Sequence, residues 1–179
     1  MLLTCSFNMT FYIFFNFMEV RILKNSETNF KEWVLNGFKE VLKIEDINCT
    51  KKDEIYLRNK IDKVTSKDYN NGDIIICVKD SKILGYLWFN EQKIVPVGGL
   101  NYGFKDKKYM WVHSVYTSSD IKRKGIASLL YTELENICKT RDIDQIYLEI
   151  NPKNPISEAF HGKNGFIRET IIYSKKLMT

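Results

Sequence analysis

Apolar and polar residues alternate over residues 18–23 and predict a first strand. From 29 to 42 the spacing becomes that of a helix face, with Phe30, Trp33, Val34, Phe38, Val41 and Leu42 on one side. Residues 51–67 form a weaker, more polar helical stretch. A turn is expected at Asn70-Asn71-Gly72-Asp73, followed by a wholly apolar strand at 74–78. The hairpin turn Lys79-Asp80-Ser81-Lys82 leads to a partner strand at 83–90. Residues 91–108, with Gly98, Gly99 and Gly103, read as a loop or irregular hairpin, and 109–116 as a central strand. The clearest helix spans 124–141, where Ile126, Leu129, Leu130, Leu134, Ile137 and Cys138 fall on a single stripe. A strand at 145–150 precedes a short helix capped by Asn154, opened by Pro155 and closed by Gly165. A last strand is expected at 167–175. The order β-α-α-β-β-β-α-β-α-β describes a mixed α/β sheet in one domain.

Residues 1–17 stand apart from this pattern. They are apolar and uncharged, lack the basic start and cleavage site of a signal peptide, and are too short and too interrupted by Asn8, Thr10 and Asn16 for a membrane span. Two readings stay open: a translation start placed ahead of Met18, or an extra strand or interaction segment. The domain proper is taken as 18–179. Its net charge of +5 comes from scattered rather than striped lysines, which argues against nucleic acid as partner. Cys5, Cys49, Cys77 and Cys138 form no Cys-x-x-Cys pair, and His113 and His161 are the only histidines, so no metal site is expected. Cys77 and Cys138 fall on apolar positions and read as buried thiols of a reducing, cytoplasmic compartment. His113 reads as a core histidine, and Trp88, Tyr109 and Trp111 as core aromatics.

The chemistry concentrates where the central strand meets the long helix. Three cations, Lys122, Arg123 and Lys124, precede Gly125 at the helix start. A helix start carries unpaired N–H groups and about half a positive charge. Gly125 allows close approach to the backbone, and Ala127 keeps the first turn narrow. Together they form an anion cradle suited to a phosphate or pyrophosphate.

Lys122-x-x-Gly125-x-Ala127, in this order of elements, resembles the Arg/Gln-x-x-Gly-x-Gly/Ala signature of the GNAT superfamily of N-acetyltransferases. The resemblance continues through Asn154, Phe160, Gly165 and Phe166. Ser157 stands where the family commonly has Ala, and His161 where it has Tyr. The run Asn-Pro-x-Ser-x-Ala-Phe-His is similar to that of a subgroup of predicted acetyltransferases. The resemblance covers residues 18–176, densely from Tyr109 onward. It implies a mixed sheet of about six to seven strands, about four helices and a V-shaped splay between two central parallel strands.

By the same resemblance, acetyl-CoA is the co-substrate and a primary amine the acceptor. Val115 and Thr117 would line the pantetheine arm. Lys122, Arg123, Lys124, Gly125, Ile126 and Ala127 would cradle the pyrophosphate, with Asn154, Ser157 and Phe160 beside the cofactor. Glu149 is the candidate base and His161 the candidate acid. From the residues alone, Glu149 is also read as a solvated strand end, and His161 as a surface histidine or a hydrogen-bond partner of CoA. A base near neutral pH needs a carboxylate in apolar surroundings. No cysteine belongs to either cofactor motif, so direct transfer without a covalent enzyme intermediate is expected. Tyr102 and Phe104 of the 91–108 loop are expected over the acceptor. Alternatives are a protein N-terminal or lysine acetyltransferase, a non-catalytic acyl-CoA-binding regulatory module, and an ATP-binding protein, the last disfavoured by the lack of a Gly-Lys-Ser/Thr sequence. No membrane partner is expected, and the chain is expected as a monomer or homodimer.

Overall fold

The computed structural model describes residues 18–66, 72–93, 95–97, 100–102 and 108–168, with the side chains of 95–97 and 100–102 left aside. In chain order the elements are β1 (Glu19–Ile22), α1 (Thr28–Ile44), α2 (Lys51–Val64), β2 (Gly72–Lys79), β3 (Lys82–Gln92), β4 (Val95–Val97), β5 (Leu100–Tyr102), β6 (Tyr109–Thr117), α3 (Ile126–Thr140), β7 (Ile146–Leu148) and α4 (Pro155–Lys163). The central sheet runs β1-β2-β3-β6-β7, antiparallel up to β6 and parallel between β6 and β7. α3 makes that parallel crossover.

Helices cover both faces, which explains why the 74–78 run is apolar at every position. Ile74, Ile76 and Val78 pack into the core under α1 and α2. Ile75 and Cys77 join the core that contains Ile126, Leu130 and Leu134 of α3. The β2–β3 hairpin turns through Asp80 and Ser81, with φ of 49° and 60°, the paired left-handed conformation that suits the twist of a hairpin. α2 is opened by a capping box that the sequence reading missed: Thr50 accepts from the Asp53 N–H, and the Asp53 carboxylate accepts from the Thr50 N–H.

Several expectations are corrected. The described central sheet has five strands rather than six to seven, and β4–β5 is a separate two-stranded hairpin. Gly72 begins β2 instead of lying in a turn. β7 ends at Leu148, two residues before the alternation does, because its partner strand diverges there. His113 is exposed rather than in the core, with Nε2 2.7 Å from Asn90 Oδ1. Trp88 and Tyr109 are core residues, while Trp111 is half-buried. Cys77 and Cys138 are free and buried. The segment 1–17, Cys5, Gly98, Gly99, Gly103, Phe104 and nearly all of the expected last strand lie outside the described residues, as does the side chain of Tyr102.

Candidate functional site

The site begins where the sheet comes apart. β6 and β7 pair only at Met110–Ile146, Trp111–Tyr147 and Val112–Leu148. β6 continues to Thr117, so one edge of residues 113–117, Val115 included, has no strand partner among the described residues. The other edge carries a bulge: Trp88 faces Ser114 and Phe89 faces Val112, which leaves His113 out of register. Bulges of this kind re-aim a strand beside functional sites. An open edge at the carboxyl ends of parallel strands is the usual ligand crevice of an α/β sheet, and its free N–H and C=O groups can pair with an extended ligand.

The chain then turns through Ser119–Ile121 into α3. Arg123 and Gly125 both adopt left-handed backbone, φ 63° and 78°. That conformation costs a residue with a Cβ about 1–2 kcal/mol and a glycine almost nothing. Gly125 is the N-cap of α3 and makes no side-chain cap. The first helical bond runs from the Leu129 N–H to the Gly125 carbonyl at 3.0 Å, so the N–H groups of Ile126, Ala127 and Ser128 stand ahead of the ladder. Lys122, Arg123 and Lys124 are exposed around them, while Ile126 is buried and anchors the helix start to the core. The geometry is that of an anion-binding nest.

α4 packs beside α3. Asn154 accepts from the Ser157 N–H at 3.1 Å, with Pro155 in the first turn. Gly165, at φ 86°, closes the helix, and the Phe166 N–H reaches back to the His161 carbonyl at 3.0 Å. His161 is only 2 % exposed. Its Nδ1 lies 2.7 Å from the Ser157 carbonyl, which can only accept, so Nδ1 carries the proton. Nε2 must then accept from the Tyr131 hydroxyl, 2.7 Å away. The rings of Tyr131, Phe160 and Phe166 pack edge-on around the imidazole at 5.1–5.4 Å. Burial holds its pKa below the ordinary value, opposed by the bond to Ser157. His161 is therefore a neutral, fully engaged group joining α4 to α3, and no ring nitrogen is free to face the splay.

Glu149 follows β7 immediately and is exposed rather than set in apolar surroundings. Sequence reasoning missed a second carboxylate. Glu45 ends the sheet-facing stripe Val34, Phe38, Val41 of α1 and is half-buried, which raises its pKa; a hydrogen bond with Asn151 opposes that shift. Asn151 Oδ1 takes the Lys153 N–H at 3.0 Å. Lys153 Nζ meets Asp46 at 2.8 Å in the same junction. Earlier in α1, Gly37 presses on β6: a Cβ there would come 2.8 Å from the rings of Tyr116 and Tyr86. The final turns of α1, about 12 Å of helix, thus cross from the β6 arm of the splay to the chain beyond β7. The available signal was an acidic residue on an apolar stripe; its partner is far away in sequence.

The sequence profile of the Acetyltransferase (GNAT) family matches residues 40–166, well over half of the chain. No curated protein matches the sequence. Among solved structures, an aminoglycoside acetyltransferase from an uncultured soil metagenomic sample, in complex with sisomicin, superposes with a TM-score of 0.65 at 13% identity, over 92% of this chain and 98% of the other. The aminoglycoside N-acetyltransferase AAC(6')-Iy in complex with CoA gives 0.66 at 14% identity, over 89% and 94%. A possible acetyltransferase from Clostridium difficile 630 gives 0.66 at 16% identity, over 92% and 100%. Likeness at such identities speaks for the fold. The family match adds the class: this chain belongs to the acetyltransferase (GNAT) family and so to the acyltransferases.

Proposed function

We propose that this protein is an acetyl-CoA-dependent N-acetyltransferase that moves an acetyl group directly to a primary amine on a small molecule, an amino acid or a peptide N-terminus. The observation that carries this reading is the open edge of β6 running straight into the unpaired start of α3. A pantetheine-like arm fits the edge, Val115 and Thr117 included. A pyrophosphate fits the nest formed by the backbone of Gly125, Ile126 and Ala127, ringed by Lys122, Arg123 and Lys124. When bound, acetyl-CoA would supply the activated acetyl thioester. The run through Asn154, Ser157, Phe160 and His161 supports the subgroup resemblance as well.

The chain's own groups handle the amine proton. Glu149, at the end of the β7 arm, is the proposed acceptor of that proton, and Glu45 is a second carboxylate at the same arm. Asn154, Ser157 and Phe160 form the wall of α4 beside the cofactor path. The engaged state of His161 favours a positioning role over direct proton donation. Cys77 and Cys138 are poor nucleophiles, because burial pushes their thiols up to about 11. That supports direct transfer.

Gly125→Glu tests the reading. It adds a side chain to left-handed backbone and a negative charge to the nest. Acetyl-CoA affinity by calorimetry should fall at least tenfold, about 1.4 kcal/mol, in a variant that still folds. Unchanged affinity would overturn the assignment. Thiol release with a panel of amines separates an enzyme from an acyl-CoA-binding module, and peptide against small-amine acceptors separates the protein-modifying alternative.

A further inference from the structure

A pocket of about 340 Å³ lies between α1 and the end of β6, lined by Trp33, Gly37, Glu40, Tyr116 and Ser118, with Lys39 at its side. That is at the lower end of the range of small-ligand sites. It borders the free arm of β6 on the face opposite α3, because Tyr116 packs with the α1 core while Val115 packs with the α3 core. Its walls are aromatic: the rings of Trp33 and Tyr116 stand 5.6 Å apart at 60°. Gly37 forms part of the lining, packed close against the Tyr116 ring.

The charge it leaves unpaired among the described residues is a carboxylate. Glu40 is exposed and has no ion-pair partner among the described residues, while the neighbouring Lys39 Nζ is drawn to Glu54 at 3.0 Å. Asp120, hydrogen-bonded by Ser118, bears on the same phenol: burial first, then Glu40 and Asp120, raise the Tyr116 pKa. A second pocket, between α1 and α2, differs in this respect. Its Lys31 pairs with Asp62 and its Arg58 with Glu32, so its charges are spent within the fold. Carboxylates beside aromatic faces attract an ammonium and repel phosphate. The pocket therefore suits the acceptor rather than CoA.

Resting on the transferase reading above, we infer that the Trp33–Glu40–Tyr116 pocket is a subsite for a second ammonium group of the acceptor, so that the preferred acceptors carry at least two amines, one held here and one presented to the splay. Glu40 supplies the ion pair, and Trp33 and Tyr116 supply ring faces. The same chemistry serves a flexible aliphatic polyamine and a rigid amino sugar.

The test compares spermidine, sisomicin and n-butylamine with the full chain and with Glu40→Gln and Glu40→Lys. Calorimetry without acetyl-CoA reads acceptor binding apart from the cofactor, and the Glu40 variants report the subsite's share. Wild type should bind at least one of the two polyamines, with affinity about tenfold weaker in Glu40→Gln and undetectable in Glu40→Lys. In the transfer assay KM for that polyamine should rise about tenfold in Glu40→Gln, with KM for n-butylamine and acetyl-CoA affinity unchanged. Which polyamine binds distinguishes the aliphatic from the amino-sugar source. Failure of wild type to bind either, equal binding by all three proteins, or a KM for n-butylamine as low as for the polyamines would overturn the subsite and leave the transferase reading intact. Loss of acetyl-CoA binding in wild type would overturn the transferase reading instead.

Discussion

If His161 joins α4 to α3 as a neutral acceptor, its energy is shared with Tyr131 and shows as coupling between them. Tyr131→Phe deletes the donor and leaves Nε2 buried without a partner. His161→Phe leaves the Tyr131 hydroxyl in the same state. Each single change should cost about 1–3 kcal/mol, the usual penalty for a stranded buried polar group. In a chain of this size that lowers Tm by about 2–4 °C for each kcal/mol. The double variant strands neither group, so its loss should be smaller than the sum of the singles by about 1–2 kcal/mol. Urea unfolding of the four proteins measures the cycle. pH supplies an independent arm. The folded-state pKa of His161 is depressed, so its contribution is complete above the ordinary value of about 6.5 and is lost as pH falls through and below it. Wild type should therefore lose more stability than His161→Phe on acidification from pH 7 to 5. Turnover decides between this joint and a proton donor. A joint leaves the rate per folded molecule near wild type, while a lost general acid costs roughly 10²–10⁴. Additive stabilities together with such a rate loss in His161→Phe alone would refute the reasoning.

Gly37→Ala should destabilise the protein by about 1–3 kcal/mol, although alanine is the better helix former by about 1 kcal/mol. The new Cβ would lie 2.8 Å from two rings, and that of Tyr86 is fully buried and cannot yield; unfolding curves showing a gain in stability would contradict this. Glu45→Gln should flatten the pH dependence of stability between pH 4 and 7. The raised pKa of Glu45 gives wild type a contribution that is present below the unfolded-state value and lost as pH rises through the folded one, so urea midpoints with the same slope in both proteins would refute it.

The sequence was most legible where local chemistry decides structure. An unbroken apolar run flanked by turn residues has to be a strand buried on both faces, and Ile74, Ile75 and Ile76 divide between the two cores as that requires. Gly125 after three cations marked the start of α3 to within two residues, though its left-handed backbone was not read, and Asn154 and Pro155 announced the start of α4. What stayed hidden depends on register and long-range contact. The alternation of β7 runs on past Leu148, but pairing stops where β6 diverges, a property of two strands rather than of either sequence. The bulge that puts His113 in solvent is likewise a mismatch between β3 and β6. The resemblance puts His161 at a tyrosine position, yet its state is set by Tyr131 on another helix and by the carbonyl of Ser157 one turn back. The ion pair between Asp46 and Lys153 joins the end of the first helix to the last third of the chain, beyond the reach of any local pattern.

The strand β6 explains how one short segment can meet ligands of opposite charge. Its edge from residue 113 onward offers backbone groups, which are indifferent to charge and suit an extended arm. Its side chains alternate, so Val115 goes to the α3 core and Tyr116 to the α1 side, beneath Glu40. A few residues later the backbone turns into the basic nest around Gly125. The Glu40 carboxylate on the α1 side and the cations at the start of α3 are thus separated by the sheet itself, and on the proposed reading an ammonium and a pyrophosphate would be held by one strand and its loop without competing. The net charge of +5 could not reveal such a division, because it sums over patches of opposite sign.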